Sequence, residues 1–518
     1  MSSPIQGSLA KDRLGVPSVV FFVMSAAAPL TVVAGVVTTG YAATGIIGIP
    51  FAFVTIAALL ILFSAGYVAM SRHISNAGAF YTYVTHGLGR PLGVGAAWMA
   101  LVAYNALQIG LYGIIGFAAS GPLNKLFGVS EEWSTNNWWV IALVLWAIVA
   151  ILGLLRVDIN GKVLAVLLCA EILIVLIYDF ADLTKPADAG ITFDTLQPGN
   201  LFVTGFGAVL VLAVLGFTGF ESAVVFSEES KNPKRTIAMA TYISITIIGL
   251  TYALSAWAMS VATGPDQIAA ASGENGPFLI FGLAAERLPS VFVDIGAILF
   301  ATSVLAAAIS FHNTVARYTF ALGRERVFPG FLSATGRRSG APIAGSVLQS
   351  VLGLAVIILY AVLGLEPVFQ LMFWIGTAGG FGVLTLLALT SIAVVAFFAR
   401  NPSGENAWRR LIAPFLSILA LGTVVYFAVI NFSGLLAVPP GHPGEGAVET
   451  LSWVIPAVYP AVAVLGIIWA LLLKVSRPEV YQAIGLGANT TTGIAEQSRV
   501  LPAQYAPQHG SESQDAYR

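Results

Sequence analysis

Charge is the first thing this chain lacks. Charged residues fill 9 % of its 518 positions, where a soluble domain carries about 25 %. With 57 % hydrophobic residues, a water-exposed surface cannot be assembled around a core. Too little of the sequence is polar for its bulk to be disordered. An excess of positive charge is missing as well. The 24 Lys and Arg stand against 25 Asp and Glu, with no basic tract, which excludes nucleic acid as a partner. The single cysteine, Cys169, excludes an internal disulfide framework and a thiolate metal cluster. His73, His86, His312, His442 and His509 fall in separate segments, and no H-E-x-x-H, Walker loop or nucleophile elbow occurs. These absences speak against an enzyme and leave no metal or cofactor to expect. A sensor is disfavoured too, because no polar stretch is long enough for an output domain.

What the chain has is apolar length. A lipid core about 30 Å thick takes roughly 20 apolar residues of helix. Such runs lie at 17–41, 44–70, 91–121, 138–155, 159–181, 201–227, 235–262, 290–323, 341–364, 367–399, 409–433 and 451–475. They are continuous rather than alternating, which selects helices over a barrel. The expected fold is an all-α polytopic membrane protein with twelve transmembrane helices. The first run is too long, and lacks the small-residue cleavage site, for a cleaved signal peptide. Placing the N-terminus inside leaves only Lys125, Lys185 and Arg287 of the 24 basic residues outside. Outer loops instead collect acids such as Glu131, Glu132, Asp188 and Glu274. Both termini are therefore expected in the cytoplasm, in a multi-pass protein of the cytoplasmic membrane. Residues 1–16 form a leader, and 476–518 read as a disordered tail. Segment 75–90 is too polar to span and fits a short helix or re-entrant segment on the cytoplasmic side after the second run; 275–288 reads as its outer counterpart before the eighth.

Those two segments hint at a repeat. Runs one to five (17–181) can be laid over runs six to ten (201–399), with 409–475 as two additional helices. Five spans is an odd number, so the second copy would be inverted in the membrane, as in transporters whose broken helices form the binding site. Both leading runs carry helix breakers in mid-membrane. The first has Pro29 and Gly35; the sixth has Gly216 and Gly219 around Phe217 and Thr218, then Glu221. Freed backbone groups in lipid must face protein or a protein-lined cavity, and half-helix N-termini suit a carboxylate. Glycine and proline are also common in membrane helices, so plain kinking is the competing explanation.

Segment GFTGFESAVVFSEESKNPKRTIAMA (216–240) runs GFE, then EE, then KNP and a basic pair. Together with ISNAGAFYTYVTHGLGR (74–90) and ARYTFALGRERVFP (316–329), it resembles stretches of the amino acid–polyamine–organocation permease superfamily, in span six and after spans two and eight. The resemblance implies a five-plus-five inverted-repeat fold with discontinuous helices 1 and 6, and secondary transport of amino acids or amines. It places Ser25, Ala26, Ala27, Ala28, Pro29, Leu30 and Thr31 at a break that in the family is glycine-rich and holds the substrate carboxylate; here alanine and proline stand in place of those glycines. It places Phe217, Thr218, Gly219 and Phe220 at substrate-facing, gate-forming positions.

Polar side chains at membrane depth are functional candidates in their own right. Glu171, in the middle of run five, falls by resemblance where proton-coupled members carry a titrating lysine, which implies a coupling role. Glu221 is a second coupling candidate; it could instead accept freed N–H groups or meet a substrate ammonium. Tyr104, Asn105 and Gln108 form a polar stripe in run three, and Tyr104 and Gln108 are candidate substrate contacts or interhelical glue. His312, near Asn313 and Arg317, is expected at a cytoplasmic gate. Thr302 and Ser303 could offer oxygens to sodium, although hydroxyls in membrane helices usually bond the preceding turn. The expected function is alternating-access import of an amino acid, coupled to protons as a symport. A polyamine or amine carrier, or an exchanger without a coupling ion, is the alternative.

Overall fold

Inside lipid, a backbone must bond its own N–H and C=O groups, and a run of apolar residues does this by closing into a helix. The computed structural model describes residues 9–74, 76–402, 404–436, 438 and 444–487. Among these, the only β-type pairing is one isolated bridge between Leu14 and Ser230. Eleven helices among the described residues are long and apolar enough to cross a membrane. They are α1 (Val16–Thr44), α2 (Ile49–Ser71), α3 (Arg90–Phe127), α5 (Val157–Thr184), α6 (Phe206–Glu229) and α7 (Pro233–Thr263), followed by α8 (Ser290–Arg324), α9 (Ile343–Leu363), α10 (Pro367–Arg400), α11 (Trp408–Ile430) and α12 (Glu445–Ser476). A shorter apolar helix, α4 (Trp138–Leu154), has 17 residues. The expected all-α polytopic architecture is therefore present, and the expected run at 138–155 corresponds to this shorter helix.

Two boundaries move for local reasons. Helix α2 starts at Ile49 rather than 44, because Gly45 closes α1 at φ 65° and Pro50 fits the first turn of the next helix. Helix α6 starts at Phe206 rather than 201, because Gly205 at φ 90° separates it from the short turn Pro198–Leu201. The non-spanning segments are helical over Ala79–Leu88 after α2 and Leu279–Arg287 after α7, and a further short helix, Ile268–Asn275, precedes the second of them.

Burial sorts the helices into centre and rim. The most apolar stretch of α6 is 89 % buried and that of α1 78 %, against 22 % for α9 and α12. Helix α1 packs on α5, α7, α8 and the second half of α6, so the two interrupted helices sit side by side in the middle. Outer faces present bulky apolar side chains, among them Leu173 and Phe180 on α5, Val362 on α9 and Val475 on α12. That pattern suits hydrocarbon as solvent.

One end of the bundle is tied by ions and by both ends of the described chain. Arg317 of α8 holds Glu229 of α6 through Nε at 2.5 Å and Nη2 at 3.1 Å, and its guanidinium lies 4.8 Å from the Phe226 ring. Arg324 holds Glu228 with two bonds of 2.7 Å. Leu14 and Arg13 donate N–H to the Glu229 carbonyl at 3.0 and 2.8 Å. The stretch expected to be disordered from 476 differs over its first residues. Pro478–Ala483 is helical, and the chain beyond it forms a strap. Gly485 and Gly487 donate N–H to the buried Glu325 carboxylate at 2.8 and 2.7 Å, alongside Tyr81 and Asn76. A carboxylate with room for several donors pins a segment whose composition alone reads as loose. The rest of the expected tail, 488–518, and residues 1–8 of the leader lie outside the described residues.

Candidate functional site

Pro29 has no N–H to give, so the helical bond to Ser25 cannot form. The α-helix ends at Ala27, and Ala28 turns left-handed at φ 46°, ψ 67°, donating its own N–H to the Ser25 carbonyl at 3.2 Å. The chain restarts at Pro29 and continues through a wide π-helical turn, Val32–Val37. Leu30 N–H, which an unbroken helix would give to the Ala26 carbonyl, goes to Glu171 Oε1 of α5 at 2.5 Å. Ser303 of α8 donates to the same oxygen at 2.8 Å, and Thr31 donates to Ser303 at 3.0 Å. Glu171 therefore ties the first break to α5 and α8. The Ser25 hydroxyl is buried and has no protein partner.

The sixth helix breaks in the same region. Its α-helical part ends at Gly216; Gly219 swings to φ 114°, and Phe220–Glu229 continues as a tight 3-10 helix. Glu221 folds back on this turn. Its Oε2 accepts Gly219 N–H at 2.9 Å and its Oε1 accepts the Tyr104 hydroxyl at 2.7 Å. Tyr67 donates to the Glu221 carbonyl at 2.8 Å. The two breaks abut, for a Cβ added at Gly219 would stand 2.6 Å from the Ala26 methyl. Phe217 packs against Phe53 and Tyr252, and Phe220 against Phe63. Thr218 stays among them, buried.

Two residues of this centre escaped the sequence. Tyr252 of α7 bridges both breaks, its hydroxyl 3.0 Å from the Ala27 carbonyl and 3.1 Å from that of Gly216. In an apolar run, a tyrosine reads the same whether it packs or bonds. Asp179, two turns beyond Glu171 on α5, is 2 % exposed and accepts from Ser255 of α7 at 2.9 Å. Its place near the end of run five hid it among loop acids.

Other expected site residues are drawn elsewhere. Gln108 lies one turn from Tyr104 but faces α8 and α9. Its amide nitrogen is 3.1 Å from the Tyr112 hydroxyl and 3.3 Å from His312 Nδ1, and its oxygen accepts from Gln349 at 2.7 Å. His312 Nε2 is 2.6 Å from Ser346 Oγ. The imidazole thus sits in a buried amide–hydroxyl network between α3, α8 and α9, while Asn313 joins Arg317 in the ion cluster. Thr302 bonds its own preceding turn, to the Leu299 carbonyl at 3.1 Å. Among the described residues, no three His, Cys, Asp or Glu converge as a metal-holding group.

A multi-pass bundle whose two most central helices are unwound beside a buried carboxyl is the architecture of a membrane transporter, not of an enzyme. Comparison with known proteins is specific: the family described as amino acid permease matches residues 14–468, and the chain belongs to it. The low-affinity putrescine importer PlaP of Escherichia coli is 25 % identical over 394 residues, 72 % of this chain and 79 % of that protein. The branched-chain amino acid permease BcaP of Bacillus subtilis is 23 % identical over 399 residues, 74 % and 80 % of the two chains. The L-methionine/branched-chain amino acid exporter YjeH of Escherichia coli is 24 % identical over 269 residues, 48 % and 60 %.

Proposed function

We propose that this transporter imports an amino acid or amine across the cytoplasmic membrane by alternating access, with protons as the coupling ion in symport. The substrate is held between Ser25–Thr31 and Phe217–Glu221, with Tyr104 at the edge. The single observation that carries the reading is the bond from Leu30 N–H to Glu171: a titratable group grips the backbone of the substrate-holding break. An ionised carboxylate accepts hydrogen bonds about twice as strongly as a neutral group. Protonation of Glu171 therefore loosens Leu30 and Ser303 together and biases how the first half of α1 sits against α5 and α8. A ligand shifts such an equilibrium only by binding one state better than the other, and the proton does so here. Glu221, the second acid, keeps the α6 break folded and contributes negative charge to the same centre. In support of two inverted repeats, α1–α5 and α6–α10, the breaks fall in their leading helices and short helices follow α2 and α7. The placing of Lys and Arg supports cytoplasmic termini, so the ion-tied face is the inner one.

Uptake into proteoliposomes by the Glu171→Gln variant tests the coupling. Wild-type accumulation should rise as the outer side is acidified, and the variant should exchange substrate without responding to the proton gradient. Concentrative uptake by Glu171→Gln with an unaltered pH profile removes Glu171 from the coupling role.

A further inference from the structure

Each interrupted helix has a start, and the start of a helix exposes N–H groups that attract anions. In this protein those groups are already spoken for. The second half of α1 opens with Pro29, which has no N–H, and the next donor, Leu30, is taken by Glu171. At the α6 break, Gly219 N–H is taken by Glu221 and Phe220 N–H by the Phe217 carbonyl at 3.2 Å. The chain's own acids occupy both places where a substrate carboxylate would be received.

Acceptors are what remain. The Ala26 carbonyl has lost Leu30 as its helical donor. The Glu221 carboxylate accepts from Tyr104, Gly219 N–H and its own N–H, and a carboxylate has about four lone-pair sites, so capacity is left on it. The buried Ser25 hydroxyl has no protein partner and offers two acceptor lone pairs. Charge points the same way. Two acids lie at the breaks, Glu171 and Glu221. Among the described residues, no ion pair includes either of them. The buried imidazole of His312 is turned to Gln108 and Ser346 instead. Buried acids without a cation are costly in a membrane, and an arriving cation lowers that cost.

We infer that the site between the breaks recognises an ammonium group and has no place for a carboxylate, so that the cargo is an organic amine without a free carboxyl group. This rests on the transport reading above and narrows it. Glu171 stands in for the carboxylate that an amino acid would bring. The ammonium is received by the free lone pairs of Glu221, the Ser25 hydroxyl and the Ala26 carbonyl.

The experiment compares ligands that differ only by the carboxyl group: leucine with 3-methylbutylamine, and ornithine with putrescine. Their apparent affinities are read from the thermal stability of the purified full-length chain, since ligands that bind only the native state raise Tm. In at least one pair the amine should bind tenfold or more tighter than its amino acid. Glu171→Ala, which returns Leu30 N–H to the site, should narrow that ratio. If the amino acid of each pair binds as tightly as the amine or tighter, the inference is overturned while the transporter reading stands. If no member of either pair stabilises the protein or competes for uptake, the inference and the amino acid-or-amine reading fall together. The wild-type ratio decides the matter even if the variant does not fold.

Discussion

At Ala28 the backbone turns left-handed with only a methyl group to accommodate, and at Gly219 it reaches φ 114° with none. The difference is testable. Gly219→Ala adds a Cβ that overlaps the Ala26 methyl in a conformation that L-residues avoid. We expect at least a tenfold loss of uptake and a destabilisation of about 1–3 kcal/mol, read from transport and from Tm. Ala28→Gly relieves a left-handed alanine at the expense of a freer unfolded chain, and should shift stability by about 1 kcal/mol at most. At this scale much was legible. Pro29, Gly216 and Gly219 act through local backbone chemistry, and Glu171 stands out as an acid in an apolar run. Tyr252 did not, because its role depends on two carbonyls that only the fold brings to one hydroxyl.

Helix α3 illustrates what is lost between residue and element. Tyr104 and Gln108 are one turn apart on the same stripe, and sequence offers no ground for separating them. Packing does. Tyr104 meets Glu221 at the α6 break, while Gln108 reaches His312 and Gln349, which the α8 and α9 crossings bring within bonding distance. His312 joins the same network and not the Arg317 cluster five residues on, because residues five apart on a helix point to different sides. Gln108→Leu leaves buried partners on His312 and Gln349 unmatched, at about 1–3 kcal/mol. We therefore expect a lower Tm with substrate affinity changed less than threefold, measured by competition binding. A loss of affinity beyond tenfold at unchanged Tm would instead put Gln108 in direct contact with the cargo.

For the molecule as a whole, the all-α polytopic architecture was legible in the apolar runs, and so were short helices after α2 and α7. The strap was not legible, since what orders it is Glu325, some 160 positions earlier, and not its own composition. Burial pushes the Glu325 carboxyl above its ordinary range, against the opposing pull of Tyr81, the Gly485 and Gly487 N–H groups and Arg324. A raised native value means that the folded state holds this proton more firmly than the unfolded chain. The resulting stability is full below the ordinary glutamate range and fades as pH rises through the native value. The Tm advantage of the wild type over Glu325→Gln should accordingly be larger at pH 5 than at pH 8, by calorimetry. An advantage that grows with pH would show that the ionised form is the one preferred.

The paired guanidinium clamps of α8 on the end of α6 have one more consequence. Arg317 and Glu229 are each 1 % exposed, and parting such a pair leaves two charges uncompensated at once. Any rearrangement that draws α8 away from the end of α6 must first strand both charges away from water. That cost makes this end of the bundle the hardest place to pull apart.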